Sequence, residues 1–316
     1  MIKKRMWNML IKPRYESVEL KLLRFLNTRM NLSPKDAGYF LNLEKGYEGE
    51  LVFDKWLENL SDNWLIMNDL LLETNNTIYQ IDSTLISPDT IYLFEVKNFE
   101  GDYYLEDDKW YTISGKEIKN PLLQLKRAES LFRRLLQDLR FSFSIEAYVV
   151  FVNPDFFLYQ TPMNVPIIFP NQIDGFMKKL NMRSPRQTNG TSKFVERLSS
   201  ILLEESPYKN LPGYTYDQLK KGITCSKCFG FVTRINENNL ICKRCGKLEK
   251  ISEAVLRSVE EYRFLFPEKK ITTNAIHEWC DLIESKKTIR RILKENFILM
   301  QQARSSYFQI PPSKGD

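Results

Sequence analysis

Hydrophobic positions change period several times along this chain. Within residues 15–30, Val18, Leu22, Phe25 and Leu26 recur at helical spacing, with charges on the opposite side. Ser33-Pro34 interrupts the pattern. Residues 46–60 predict a second helix, in which Phe53, Trp56, Leu57 and Leu60 share a face. The period then shortens. Residues 77–86 (TIYQIDSTLI) and 90–96 (TIYLFEV) are rich in β-branched and aromatic side chains. They flank Ser87-Pro88-Asp89, which predicts a hairpin. A second hairpin is expected from residues 103–105 and 109–113 around Asp107-Asp108. Asn120-Pro121 opens a long helix, with Asn120 as N-cap and Pro121 at the first helical position. Residues 145–152 (IEAYVVFV) are almost wholly apolar, as a buried strand requires, and residues 167–169 suggest another. The order of helix, β meander, long helix and buried strand predicts an α/β core.

Residues 181–193 carry no large aliphatic beyond Met182 and read as a linker or surface loop. A helix near 193–205 and a Pro/Gly/Tyr-rich stretch follow, then a cysteine cluster, then a mostly helical pattern to about residue 305. The expected division is a helical extension (1–45), an α/β domain (46–180), a linker with a helix (181–221), a cysteine-rich ribbon (222–250) and a helical module (251–316).

Composition narrows the chemistry. Lys and Arg number 46 against 40 Asp and Glu, a formal charge of +6, and 43% of residues are hydrophobic. No apolar run is long enough to span a membrane, and the basic start (MIKKRMWNMLIKPRYE) is too broken for a signal peptide, so a cytoplasmic location is expected. The one histidine, His277, excludes mechanisms that need two, and no GxxxxGK[ST] phosphate loop is present. Residues 1–180 hold 22 basic and 25 acidic side chains, whereas residues 181–316 hold 24 and 15. The basic C-terminal part suits a polyanion or is simply a solvated basic surface.

Cys225-Ser-Lys-Cys228 and Cys242-Lys-Arg-Cys245 are CxxC pairs separated by 13 residues. Four thiolates at this spacing can close a tetrahedron around Zn²⁺. Gly230 and Gly246 sit just past each pair, where a knuckle turn needs a permissive backbone. Two disulfides are the rival reading, disfavoured in the cytosol. With every coordination position filled by protein, the zinc would be structural. Cys280, in a helical pattern beside Trp279, reads as a core residue.

Glu95-Val96-Lys97 lies on the second strand of the 77–96 hairpin, so Glu95 and Lys97 face one way and Val96 the other. With Pro88-Asp89 at the turn, Asp82 stands opposite Glu95 at about 5 Å. Like charges so placed repel unless something positive lies between them. A hard divalent cation held by oxygen ligands resolves the conflict, with Mg²⁺ the expected ion. The rival reading is a solvated ion pair, and one residue of register slip would separate the acids.

An Asp followed by Glu-x-Lys on the next strand resembles the PD-(D/E)XK nuclease superfamily, with Ile81 in place of its proline. GYEGELVFDKWLENL, YQIDSTLIS, YLFEVKNFEGDYY and NPLLQLKR together resemble the nuclease-related domain, NERD, over about residues 46–170. The resemblance implies a PD-(D/E)XK-like mixed β-sheet flanked by helices and metal-dependent phosphodiester hydrolysis leaving 5′-phosphate and 3′-hydroxyl ends. It matches Glu50 and Gln124 to family positions. The implied catalytic set is Glu50, Asp82, Glu95, Lys97 and Gln124. Mg²⁺ or Mn²⁺ would be held by Asp82, Glu95, the Val96 carbonyl and Glu50, directly or through water. The face shared with Ala128, Leu131 and Leu135 points Gln124 inward.

Residues 271–299 read as two short helices around a turn. Thr273 or Asn274 caps the first and Ser285 the second, with Ile276, Trp279, Leu282, Ile289, Ile292 and Leu293 inward. The second carries Lys286, Lys287, Arg290, Arg291 and Lys294, as a helix-turn-helix recognition helix would. The alternative is a solvated face. Three functions follow: a nuclease acting on nucleic acid, with DNA expected and a homodimer needed to cut both strands; a non-catalytic nucleic-acid-binding protein on a nuclease-like fold; or a regulatory interaction protein.

Overall fold

A computed structural model describes residues 10–61, 63–183, 187–207, 209–302 and 305–311. The start of the basic N-terminal stretch and residues 184–186 of the predicted linker lie outside the described residues. In chain order the elements are β1 (Leu10–Lys12), α1 (Val18–Arg29), α2 (Pro34–Leu57), β2 (Leu65–Thr74), β3 (Thr77–Ile86), β4 (Thr90–Lys97), β5 (Gly101–Glu106), β6 (Lys109–Thr112), β7 (Glu117–Ile118) and α3 (Pro121–Asp138). There follow β8 (Ser144–Phe151), β9 (Phe156–Tyr159), β10 (Ile167–Ile168), α4 (Ile173–Arg183) and α5 (Asn189–Ser199). The rest are β11 (Thr233–Arg234), β12 (Asn239–Ile241), β13 (Leu248–Lys250), α6 (Ile251–Leu265), α7 (Thr273–Cys280), α8 (Lys286–Asn296), β14 (Ile298–Gln302) and β15 (Ser305–Gln309).

Local chemistry sets several boundaries. Ser33-Pro34 both ends the first helical pattern and starts the next. The Ser33 hydroxyl accepts from the Asp36 amide at 3.1 Å and donates to its carboxylate at 2.7 Å, so α2 begins twelve residues before the predicted helix. Asn120 caps α3 as predicted, its side chain accepting from the Leu122 amide at 2.9 Å. Asp107 and Asp108 both take positive φ, the conformation of a tight two-residue hairpin turn. Asn75 and Asn76 do the same between β2 and β3.

Two units divide the chain, residues 1–17 with 41–209, and residues 18–40 with 210–316. The predicted 1–45 extension is thus split, because Leu22 and Leu26 of α1 pack among residues of the second unit. In the first unit a six-stranded mixed sheet has the order β1-β2-β3-β4-β8-β10. β4 and β8 run parallel at its centre, while β2, β3 and β4 are antiparallel. On one face lie Ala128, Phe132 and Leu135 of α3 with Phe194 and Leu198 of α5. On the other lie Phe53 and Leu57 of α2 with Ile173, Met177 and Leu180 of α4. This is the predicted mixed sheet flanked by helices. A second sheet, β7-β6-β5-β9, packs Trp110 and Phe156 against Phe151.

The second unit gathers around Ile251, Val255, Tyr262, Trp279 and Ile289, with Arg29 and Glu261 as a buried ion pair at 2.7 Å. Its cysteine-rich part is a three-stranded sheet, β11-β12-β13. The helical pattern holds for α6, α7 and α8, but beyond Asn296 the chain turns to strands. β14 and β15 form an antiparallel hairpin, with Leu299 opposite Phe308 and Met300 opposite Tyr307. Among the described residues no helix is long and apolar enough to cross a membrane.

Candidate active site

β4 changes character along one face. Ile91 and Leu93 are buried against α3, while Glu95 and Lys97, on the same side, form a charged end. Val96 points the other way, into the α2 side of the core. The β3–β4 ladder pairs Ser83 with Phe94 and Thr84 with Leu93, the register expected from the Ser87-Pro88-Asp89 turn. There the β3–β4 pairing ends, while on its other side β4 stays paired with β8 through Lys97. Asp82 fills the gap: its Oδ2 accepts the Val96 amide at 2.7 Å. On its other side, β2 and β3 pair Asn68 with Ser83 and Leu70 with Ile81, which leaves Asp69 level with Asp82 at a positive φ.

Lys97 Nζ donates to Glu95 Oε1 at 2.6 Å and to Gln124 Oε1 at 3.2 Å. Gln124 is exposed, contrary to the inward orientation read from its helical face. It sits in the first turn of α3 between buried Pro121 and Leu125, on the side that meets the Lys97 ammonium rather than the apolar core. Glu50 comes from the middle of α2. Its neighbour Gly49 lies so close to the end of β4 that an added Cβ would stand 2.5 Å from the Asn98 Cβ. A glycine is the residue that allows this approach.

One member of the cluster escaped the sequence reading. Arg14, just after β1, has a side chain only 2% exposed. It donates to Glu50 at 2.6 Å, to both oxygens of Asp54 at 2.9 and 3.1 Å, to the Asp82 carbonyl at 2.7 Å and to Ser83 Oγ at 2.9 Å. Nothing in its local sequence marks it, because every partner is distant along the chain. Lys12 likewise donates to the carbonyls of Asn68 and Asp69 and stands 3.8 Å from the Asp69 carboxylate.

The electrostatics are those of crowded carboxylates. Burial, reinforced by Asp82, pushes Glu50 up to about 8 despite Arg14. Burial and Asp82 together push Glu95 up to about 7 despite Lys97. Asp82 is also raised by burial, against the pull of Lys97 and the Val96 amide. Burial alone would lower Lys97, but Glu95 and Asp82 hold it above its ordinary value, so it remains an ammonium. Among the described residues, Glu50, Asp54, Asp69, Asp82 and Glu95 formally outnumber Lys12, Arg14 and Lys97 by two, an excess that the raised acids relieve by holding protons. A divalent cation with oxygen ligands fits that excess in charge and chemistry.

With this geometry in place, one comparison bears on it. Residues 45–152 match the nuclease-related domain, NERD. No curated protein matches the chain. The NERD segment carries Glu50, Asp82, Glu95, Lys97 and Gln124, and its fold is the mixed sheet with flanking helices described above. Arg14 lies outside it.

In the second unit the Sγ atoms of Cys225, Cys228, Cys242 and Cys245 all lie within 4.8 Å of one another, a four-cysteine cluster consistent with a zinc ribbon. Burial opposes the Cys242 thiolate, yet the amides of Cys245 and Arg244 and the Cys228 thiol bring this thiol down to about 7. Gly246 takes the positive φ expected of a knuckle. In the first knuckle Phe229, not Gly230, takes it, since residue 229 is the one directly after the pair. Cys280 is buried among apolar residues, apart from the cluster.

Thr272, one residue before the predicted caps, closes the N-terminus of α7, and Ser285 caps α8 as predicted. Lys286, Lys287, Arg290, Arg291 and Lys294 are all exposed, opposite buried Ile289, Ile292 and Leu293. His277 Nε2 is 3.2 Å from the Glu284 carbonyl, a contact across the turn rather than a catalytic one.

Proposed function

We propose that this protein is a divalent-metal-dependent nuclease that hydrolyses phosphodiester bonds in DNA. The observation that carries the reading is the meeting of Asp82, Glu95, Lys97, Gln124 and Glu50 where the β3–β4 pairing ends, a crowd of acids raised by burial and by one another. The NERD match supports a nuclease-related role for the same segment.

Asp82, Glu95 and the Val96 carbonyl would hold Mg²⁺ or Mn²⁺, with Glu50 completing the set directly or through water. Bound there, the ion would acidify a water and neutralise phosphate charge. Asp82 holds the Glu95–Val96 peptide through the Val96 amide. Arg14 fixes Glu50 by one carboxylate oxygen. Lys97, kept protonated by its acidic neighbours, orients the attacking water or steadies a phosphate oxygen, and Gln124 fixes the ammonium in turn. Lys97 and Gln124 stand on the solvent side of the cluster, where a polynucleotide arrives.

Zn²⁺ held by the four cysteines would have a structural role. The five cations of α8 would dock nucleic acid. A cytoplasmic enzyme is expected, and a homodimer would supply the second site needed to cut both strands. Purified protein with Mg²⁺ or Mn²⁺ should nick plasmid DNA, and Asp82→Ala and Lys97→Ala should abolish it. Equal nicking by the variants would assign the activity to a contaminant.

A further inference from the structure

The second unit carries a β-hairpin that its helical sequence pattern did not announce. β14 and β15 follow α8 directly, and Ile271, just before α7, makes a β-bridge to Phe308 of β15. Phe308 and Ile271 are buried with Ile276, Trp279 and Leu293. The order α6, bridging residue 271, α7, α8, hairpin is that of a winged helix: a helix-turn-helix whose sheet ties the recognition helix to a projecting hairpin.

The exposed face of α8 fits this arrangement. Lys287, Arg290, Arg291 and Lys294 recur at helical spacing and, with Glu295, project together from the exposed face of the helix. Among the described residues only Arg291 of these cations has a carboxylate partner, Glu295 at 3.1 Å. Cations left facing water on the outermost helix contribute nothing to the core. They do release counterions when they meet phosphates. An α-helix of three turns matches the B-form major groove, whereas the A-form major groove is too narrow to admit it. Gln301 and Ser306, paired across the hairpin and both exposed, extend the polar surface beside the helix.

We propose that residues 251–302 with 305–311 form a winged helix that binds duplex DNA, with α8 in the major groove and the β14 and β15 strands on the adjoining backbone. This rests on the nuclease reading for its biological sense and names the form of nucleic acid that the protein engages.

The test uses the full chain with Lys97→Ala in buffer without added Mg²⁺ or Mn²⁺ and without chelator, so that no cleavage competes and the four-cysteine ribbon keeps its zinc. Binding to a labelled 25-base-pair DNA duplex is followed by fluorescence anisotropy from low to moderate salt, beside an RNA duplex and a single strand of matching sequence. DNA duplex should bind most tightly, with a marked salt slope. K287E/R290E should weaken it roughly tenfold or more and flatten the slope by about one per cation lost. Q301E/S306E should weaken it several-fold with α8 unchanged, which keeps the hairpin's part testable if the helix variant folds poorly. Equal binding by RNA duplex, or unchanged affinity in both variants, would overturn the proposal. The nuclease reading fails separately, through metal-dependent cleavage that survives Asp82→Ala.

Discussion

The Asp82 carboxylate takes the hydrogen bond of the Val96 amide at 2.7 Å, at the point where β3 can no longer reach β4. One side chain therefore closes a gap in the sheet and supplies negative charge to the cluster. Substitution should separate the two roles. In Asp82→Asn the side-chain oxygen still accepts from Val96, so stability to urea should stay near that of the parent while metal-dependent nicking falls at least about a hundredfold. Asp82→Ala leaves a buried amide unpaired and should also cost about 1–3 kcal/mol. Equal stability of the two variants would show that the bond to Val96 does not matter.

Acid strength in the cluster sets how stability varies with pH. Glu50 and Glu95 ordinarily titrate near 4.5 but are raised in the fold to about 8 and about 7. Across that window the folded chain holds more protons than the unfolded one, so its stability falls as pH rises. Thermal melts in buffer free of added Mg²⁺ and Mn²⁺, with the zinc left in place, should show a decline from about pH 5 to pH 8. Mg²⁺ or Mn²⁺ should reverse it most strongly at the alkaline end, where the carboxylates are free to bind. A melting temperature flat across this range, with and without metal, would argue against a cation site.

Arg14 should matter more to stability than its place before the NERD segment suggests. Its nearly inaccessible guanidinium serves Glu50 and Asp54 together. Arg14→Ala leaves those acids facing each other and should destabilise the protein by about 3–5 kcal/mol at neutral pH. Glu50→Gln in the same chain should recover part of the loss, measured by chemical denaturation as a double-mutant cycle.

The four-cysteine cluster should carry one zinc ion per chain by metal analysis. Cys242→Ser should lose the zinc and unfold the ribbon, and a strong chelator should do the same. Cys280→Ser should keep the zinc, because that thiol lies in the apolar core; any loss there would be of stability alone.

The legibility of these features followed the range of the interactions that make them. The 77–97 hairpin was readable because Ser87-Pro88-Asp89 and the alternating residues around it are local, and the expected register holds from Ile86–Ile91 to Ser83–Phe94, one residue short of the expected Asp82–Glu95 pair. The same holds for Asn120-Pro121 and for the CxxC spacing. β2 went unread because Leu65–Thr74 is dominated by leucine and lacks the β-branched signal, although Asn75-Asn76 marked its turn. β14 and β15 went unread because a run such as ILMQQ suits either state until Phe308 finds Ile271. The exposure of Gln124 depends on where α3 overhangs the sheet, which no periodicity reports. Arg14 depends wholly on contacts made across the fold.

Gly49 sets how closely α2 approaches the end of β4. With Asn98 pressed against it, the helix that bears Glu50 rests on the strand with no spacer between them. A methyl group there would act as a wedge. It would lift Glu50 away from Asp82 and Glu95 without touching any of them, and a chain bearing Gly49→Ala would keep every one of these side chains in its sequence yet displace the helix that brings the first to the other two.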